Sequence, residues 1–347
     1  MREPAILVHG GAGLVAPDRF DVLRAACRSA AAAGHAILAG GGTALDAAIA
    51  AVRVLEDHPE TNAGRGSVLT REQTIETDAA VMDGATQRVG AVAAVPGFGQ
   101  AIALARAVLD DGEHAIIAGQ PALAFAVERQ LVSEPAGSLV TERAYRRWCE
   151  EALRRGAIDP EDVDAILAGS RGRIERDRAR ESAGDKRERR GDRESKGDRE
   201  GEHEGKGDRE IEGGTVGAVA RDREGRFAAA TSTGGINYKR RGRVGDSPIP
   251  GAGTWADARV AISATGDGEA ILRVALAHSI AMLVRGGIAL GHAVTESLRE
   301  LHAITQGSAG AIAIDASSRV IAQLSPTMPV AWIDADGAGD SMGLVIA

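Results

Sequence analysis

Residues 171–214 of this 347-residue chain hold 14 Lys/Arg and 14 Asp/Glu, repeat "GDRE" at 191, 197 and 207, and carry almost no apolar side chain. Such a tract cannot bury enough surface to offset the entropy of ordering it, and its recurring glycines argue against a solitary charged helix. It is therefore predicted to be a disordered linker. Directly after Gly213-Gly214 come Thr215 and "VGAVA", small residues suited to a buried strand. Any fold for this chain must break for a long solvated segment and re-enter its core within two residues.

The tract's charges cancel, so the remaining 27 basic and 35 acidic residues carry the whole net charge of −8. Neither nucleic acid nor an anionic membrane is expected as a partner. No stretch approaches the ~18 apolar residues of a membrane span, and "MREPAILVHGG" lacks the plan of a signal peptide. Cys27 and Cys149 are too few for a disulfide framework and read as reduced thiols, so a cytoplasmic location is expected. Aromatic residues are only 3 % of the chain. Its core must then be built from Ala, Val, Leu and Gly in closely approaching layers.

"AILVH" (5–9) reads as a buried strand, and a helix is expected from Asp18 as N-cap. Thr43 and Asp46 match a capping box that opens a second helix. "SVLT", "TIETDAAVMDG" and "VGAVAAV" read as three strands, followed by helices in "GQAIALARAVLDDG", "QPALAFAVERQ" and "TERAYRRWCEEALRRG". Beyond the charged tract, 215–235 reads as a hairpin turning at Gly225. "ARVAISATG" is a strand and "DGEAILRVALAHSIAMLVRGG" one helix. After a helix in "LGHAVTESLRELHAIT" come short strands in "AGAIAID", "VIAQLS", "VAWIDA" and "GLVIA". Two sheets covered by helices on both outer faces would accommodate this order.

The eight histidines are scattered without metal-ligand spacing, and no serine lies in G-x-S-x-G. Gly11-x-Gly13-x-x-Ala16 partly fits a dinucleotide fingerprint, but Pro17 and Asp18 place the helix start beyond the loop. A nucleotide-binding or scaffold protein using that loop and the charged tract is one reading of the chain. Thr215 offers another. A threonine hydroxyl needs a base beside it, and a threonine made N-terminal has its own α-amine, of pKa ~8 when unperturbed. Gly213-Gly214 would permit the strained backbone of such a cut; equally, Thr215 simply begins a strand after a loop.

"HGGAG", "LEDHPETNAGRGSVLT", "ETDAAVMDG", "GTVGAVA", "TSTGG", "GRVGDSP" and "TGDG" occur in this order over nearly the whole chain. With them the sequence resembles the plant-type L-asparaginase/isoaspartyl aminopeptidase family of N-terminal-nucleophile hydrolases. The resemblance implies an α+β, four-layer αββα sandwich forming one domain over 1–347. It also implies autocleavage between Gly214 and Thr215 into an α subunit, 1–214, which ends in the linker 171–214, and a β subunit, 215–347. In that family Thr215 attacks the side-chain amide of L-asparagine or the β-linked bond of isoaspartyl dipeptides. Thr233 would hydrogen-bond to Thr215, while Thr265, Gly266 and Asn62 would stabilise the oxyanion. Arg243 would grip the substrate α-carboxylate and Asp246 the α-ammonium, with Gly268 and Gly11 lining the pocket. The main-chain carbonyls of Leu55, Glu56, His58, Thr61, Ala63 and Arg65 would wrap a structural Na+, and two αβ heterodimers would pair as a homodimer. No cofactor is expected for the chemistry. Asp267 inside Thr-Gly-x-Gly departs from the pattern by placing a carboxylate near the oxyanion pocket. "INYK" (236–239) and "SPIPGAGTWAD" are also similar to the glycosylasparaginase branch, which acts on β-aspartyl-glucosamine linkages.

Overall fold

The computed structural model describes residues 3–131, 139–170, 214–317 and 319–343. The expected disordered linker thus lies outside the described residues except for Gly214, and "GLVIA" does so except for Gly343.

The architecture is mixed α+β. Strand β1 is Ala5–His9, followed by helices α1 (Phe20–Ala39) and α2 (Ala44–Glu56), strands β2 (Glu76–Asp83) and β3 (Val89–Pro96), and α3 (Ala101–Asp111). Next come β4 (Ile116–Ala118), α4 (Gly119–Glu128), α5 (Glu142–Arg154) and a helical stretch over 162–170. After the charged tract lie β5 (Val216–Arg221), β6 (Phe227–Thr233), β7 (Thr254–Ala256) and β8 (Val260–Gly266). Helices α6 (Gly268–Val274), α7 (Leu276–Arg285) and α8 (Leu290–Thr305) precede β9 (Ala309–Asp315), β10 (Arg319–Gln323), β11 (Val330–Asp334) and β12 (Gly337–Ser341). One sheet runs β12-β11-β1-β5-β6-β2-β3-β4, antiparallel except for β3–β4; the other runs β10-β9-β8-β7, all antiparallel.

Strand periodicity assigns the faces. In β5, Val216, Ala218 and Ala220 pack with the apolar faces of α1–α4, while Val219 joins Leu7, Ala229, Ala261, Ile312 and Ile314 between the two sheets. The outer face of the smaller sheet (Val260, Ile262, Ala264) packs with α6–α8. Small residues allow these layers their close approach, as composition requires. A Cβ on Gly34 of α1 would fall 2.1 Å from Ile6 Cδ1 of β1, and one on Gly217 of β5 would fall 2.0 Å from Ser263 Oγ of the facing sheet. A satellite cluster of Leu69, Tyr145, Trp148 and Tyr238 seats α5.

Most expected elements form where local signals place them. Thr43 Oγ1 accepts from Asp46 N (3.1 Å) at the start of α2, and Gly225 turns the β5–β6 hairpin at φ +78°. Several elements differ from expectation. The helix expected from Asp18 begins at Phe20, because Pro17–Arg19 form a 3-10 turn to which Asp18 contributes no cap. "SVLT" is not a strand: the Val68 amide is taken by Asn62 Oδ1 (3.0 Å) and the Thr70 amide by Thr74 O. The single helix expected over 267–287 is two, broken at Ala275 (φ +46°), since Ala277 N and His278 N donate to Ala252 O and Gly251 O instead of to their own helix. Beside them the short strand β7 forms within "SPIPGAGTWAD", and the last described strand is β12, upstream of the expected "GLVIA".

Glu56 is the costly group under the larger sheet. Its Oε1 accepts from Ser232 Oγ (2.6 Å) and Ile102 N (2.9 Å), whereas Oε2 has no partner. Burial pushes its pKa from 4.5 to about 8. The folded state then binds more protons than the unfolded one between those values, so stability falls as pH rises through that window. Glu56→Gln keeps the acceptor and removes the titration. It should stabilise the protein by on the order of 3 kcal/mol at neutral pH and flatten the slope, read as melting temperature from about pH 5 to about pH 8.

Candidate active site

β5 lies between β1 and β6, which places its first residues at the centre of the larger sheet. Thr215 immediately precedes it and is buried. Val216 stands opposite Ser232 and Asp78 opposite Thr233, a register that directs Thr215 toward Thr233. The expected hydroxyl pair is not what the geometry presents, however. Thr233 Oγ1 accepts from Gly235 N (3.0 Å) within its own turn, and the side chain beside Thr215 Oγ1 is Ser247, with the two oxygens 3.1 Å apart. Because Thr233 accepts from an amide, its own hydroxyl proton can be donated elsewhere. Ser247 escaped sequence reasoning although it follows Asp246 in "GDSP"; nothing local relates it to a residue 32 positions away.

Gly214 is held between two walls. A Cβ there would fall 2.7 Å from Ala12 N and 2.5 Å from Thr265 Oγ1, and the Ala12 amide donates to that same oxygen at 3.0 Å. Gly11 (φ +107°) faces Gly214 closely enough that its own Cβ would fall 2.6 Å from Gly214 N. The glycine loop thus closes on the residue before Thr215, and α1 begins beyond it at Phe20. Thr265 reaches the same peptide from β8, and Gly266 follows at φ +135° with Ser308 O where a Cβ would be. Gly214→Ala should consequently prevent the cleavage that the resemblance implies at the 214–215 bond, while keeping the Thr215 hydroxyl. A doublet of chains in denaturing mass analysis of that variant would refute this.

Asn62 is buried, and its side chain braces the β6 turn: Nδ2 donates to Gly235 O (2.7 Å) and Oδ1 accepts from Val68 N. Beneath the site, His9 Nε2 contacts Ser263 Oγ, which contacts Thr231 Oγ1, both at 2.9 Å. Burial drives the His9 pKa down to about 3, against a smaller opposite effect of the Thr215 main chain. The imidazole is therefore neutral.

Arg243, Asp246 and Gly268 do come together. A Cβ on Gly268 would lie 2.8 Å from both Arg243 Nη2 and Asp246 Oδ1. Asp246 is buried with Oδ2 unpartnered, and burial raises its pKa to about 7 in spite of Arg243. Arg243 is paired with Glu269 on α6 through Nε–Oε1 (3.0 Å) and Nη2–Oε2 (2.7 Å). Asp78 and Lys239 add two further buried charges that motif reading missed. Lys239 Nζ donates to Glu76 O (2.9 Å), burial lowers its pKa, and the nearby Asp78 opposes that. The Asp267 carboxylate caps α6, its Oδ1 accepting from Ala270 N (3.3 Å).

The loop at 55–65 gathers main-chain carbonyls. Thr61 Oγ1 donates to Leu55 O (2.6 Å) and His58 O (2.8 Å), Arg65 N donates to Glu56 O (2.7 Å), and Arg143 Nη2 donates to Thr61 O (3.1 Å). Ala63 is buried in the same turn. Carbonyl oxygens are hard donors of the kind a hard cation takes, and here Leu55 O and His58 O each also accept a main-chain amide, from His58 N (3.2 Å) and Thr61 N (3.3 Å). Among the described residues one carboxylate–histidine trio, Asp111, Glu113 and His114, also lies within mutual reach, largely exposed and against the expectation that no histidine has such company.

Relatives match over nearly full length. The chain is similar to proteins named isoaspartyl peptidase/L-asparaginase from Bos taurus (36 % identical, covering 94 % of this chain and 92 % of that one) and Homo sapiens (36 %, covering 94 % and 91 %). The counterpart from Danio rerio is 32 % identical over 98 % of this chain and 95 % of its own. The asparaginase family's sequence model matches residues 2–342, and the chain belongs to that family.

Proposed function

We propose that this chain is an amidohydrolase that cleaves the side-chain amide of L-asparagine and the β-aspartyl bond of isoaspartyl dipeptides, with Thr215 as an N-terminal nucleophile. The observation that carries this reading is the enclosure of Gly214 by Ala12 and Thr265, directly before Thr215, whose buried hydroxyl lies 3.1 Å from that of Ser247, the residue after Asp246. In the maturation step Thr215 Oγ attacks the Gly214 carbonyl carbon, the C–N bond breaks and the proton passes to nitrogen. Water then hydrolyses the ester, leaving a Gly214 carboxylate and a free Thr215 α-amine. The products are an α chain of 1–214 and a β chain of 215–347.

In turnover that amine takes the Thr215 proton as Oγ attacks the substrate carbonyl. Ammonia or an amino acid leaves, and water releases aspartate. Thr265, Gly266 and Asn62 are assigned to the oxyanion, where one donor is worth ~3 kcal/mol; Thr233 donates toward Thr215. Arg243 and Asp246 hold the substrate's carboxylate and ammonium, with Gly268 and Gly11 leaving room for them. The carbonyls of Leu55, Glu56, His58, Thr61, Ala63 and Arg65 would hold Na+, which would stiffen the turn carrying Asn62. The three apolar clusters separating helices, sheet, sheet and helices support the αββα sandwich of an N-terminal-nucleophile hydrolase as one domain. No helix among the described residues is long and apolar enough to cross a membrane. A cytoplasmic homodimer of αβ heterodimers is the assembly we favour. Product release from L-asparagine and from a β-aspartyl dipeptide tests the reading; a cleaved, folded protein inert toward both would reject it.

A further inference from the structure

A guanidinium offers two edges for bidentate pairing, Nε/Nη and Nη/Nη. In Arg243 the first is taken by Glu269 at 3.0 and 2.7 Å. The other end lies against backbone, where a Cβ on Gly245 would fall 2.8 Å from Nη1 and one on Gly268 would fall 2.8 Å from Nη2. The position over Gly268 is equally close to Asp246 Oδ1, whose partner oxygen Oδ2 is buried and without a hydrogen bond. The Nη1/Nη2 edge of the cation and Asp246 Oδ1 thus meet over Gly268, on a carboxylate whose Oδ2 stays unpartnered among the described residues, where one carbon could carry both a carboxylate and an ammonium. Arg243 is mostly enclosed, with 15 % of its side chain exposed, whereas Glu269 is 53 % exposed. The pair is a strut running from the rim of the site to the buried cation. Its outer end is anchored in the first turn of α6, whose start is set by the Asp267 cap.

We infer that Glu269 is a positioning residue: by occupying one edge of Arg243 it turns the other toward the substrate, and so makes the site selective for amides that carry an α-carboxylate. This rests on the function proposed above. Glu269 does not touch the reacting atoms, and its role is felt only through Arg243.

The test uses the matured full-length protein and its Glu269→Ala and Glu269→Gln variants. L-Asparagine is compared with 3-aminopropanamide, which keeps the amine and the amide but lacks the α-carboxylate, and L-aspartate binding is followed by calorimetry. Glu269→Ala should raise KM for L-asparagine about tenfold, with the loss falling on KM rather than kcat, and weaken L-aspartate to a similar extent. Hydrolysis of 3-aminopropanamide should not move. Glu269→Gln, whose amide oxygen can still accept from Nε, should fall between. An unchanged or lowered KM for L-asparagine in Glu269→Ala, or equal losses on both amides, overturns the inference while leaving the proposed function intact. A wild-type protein that neither hydrolyses L-asparagine nor binds L-aspartate overturns both.

Discussion

Thr215→Ala is expected to yield a single 35.8 kDa polypeptide in place of two chains, and to lower activity toward L-asparagine by at least about 10⁴-fold. The reason is double. In the proposed mechanism the same oxygen opens the Gly214–Thr215 bond and attacks substrate, and without the cut there is no α-amine to act as base. Folding should survive. Thr215 Oγ1 lies 3.1 Å from Ser247 Oγ, a neutral hydrogen bond worth about 1 kcal/mol. Circular dichroism and thermal melting of the variant therefore separate loss of chemistry from loss of structure. Two fragments from Thr215→Ala, or substantial activity in an intact chain, would exclude the mechanism. Thr215→Ser, which retains a hydroxyl, should still be cut.

Arg243→Met is expected to reduce kcat/KM for L-asparagine about 10²-fold. Losing a charge-assisted bidentate contact with a carboxylate costs about 3 kcal/mol when no other cation replaces it. The loss should appear mainly in KM. Maturation should persist, because the enclosure of Gly214 is made by Gly11, Ala12 and Thr265 and not by Arg243. The folded state should be little affected, since Glu269 is half exposed and its pairing with Arg243 is partly water-screened. An Arg243→Met enzyme with wild-type KM would place the α-carboxylate elsewhere.

The two variants probe residues that differ in how visible they are along the chain. Thr215 stands out because a tract incapable of burial abuts a core strand, and the glycines between them have no other evident use. Arg243 and Asp246 stand out only within "GRVGDSP", and there the carboxylate and the guanidinium are indeed brought to one place. Strand register carries Thr233 to the level of Thr215, but its oxygen accepts from Gly235 N, and the hydroxyl against Thr215 Oγ1 belongs to Ser247. Asp267 looked troublesome for its position in the motif. Its backbone does follow Gly266, yet its carboxylate serves the start of α6.

What the sequence by itself determined are features whose causes lie within a few residues. Short runs of small apolar residues produced β1, β2, β3, β5 and β6, the Thr43–Asp46 cap opened α2, and Gly225 allowed the hairpin. Tertiary structure decided whatever depends on a partner far along the chain. The amides of Ala277 and His278 left their helix because Gly251 and Ala252 offered carbonyls. Glu269 takes one edge of Arg243 across 26 positions of chain, and Ser247 meets Thr215 across 32. Hydrogen-bonding groups satisfy themselves with whichever partner the packed layers bring near, and sequence spacing carries no record of that choice.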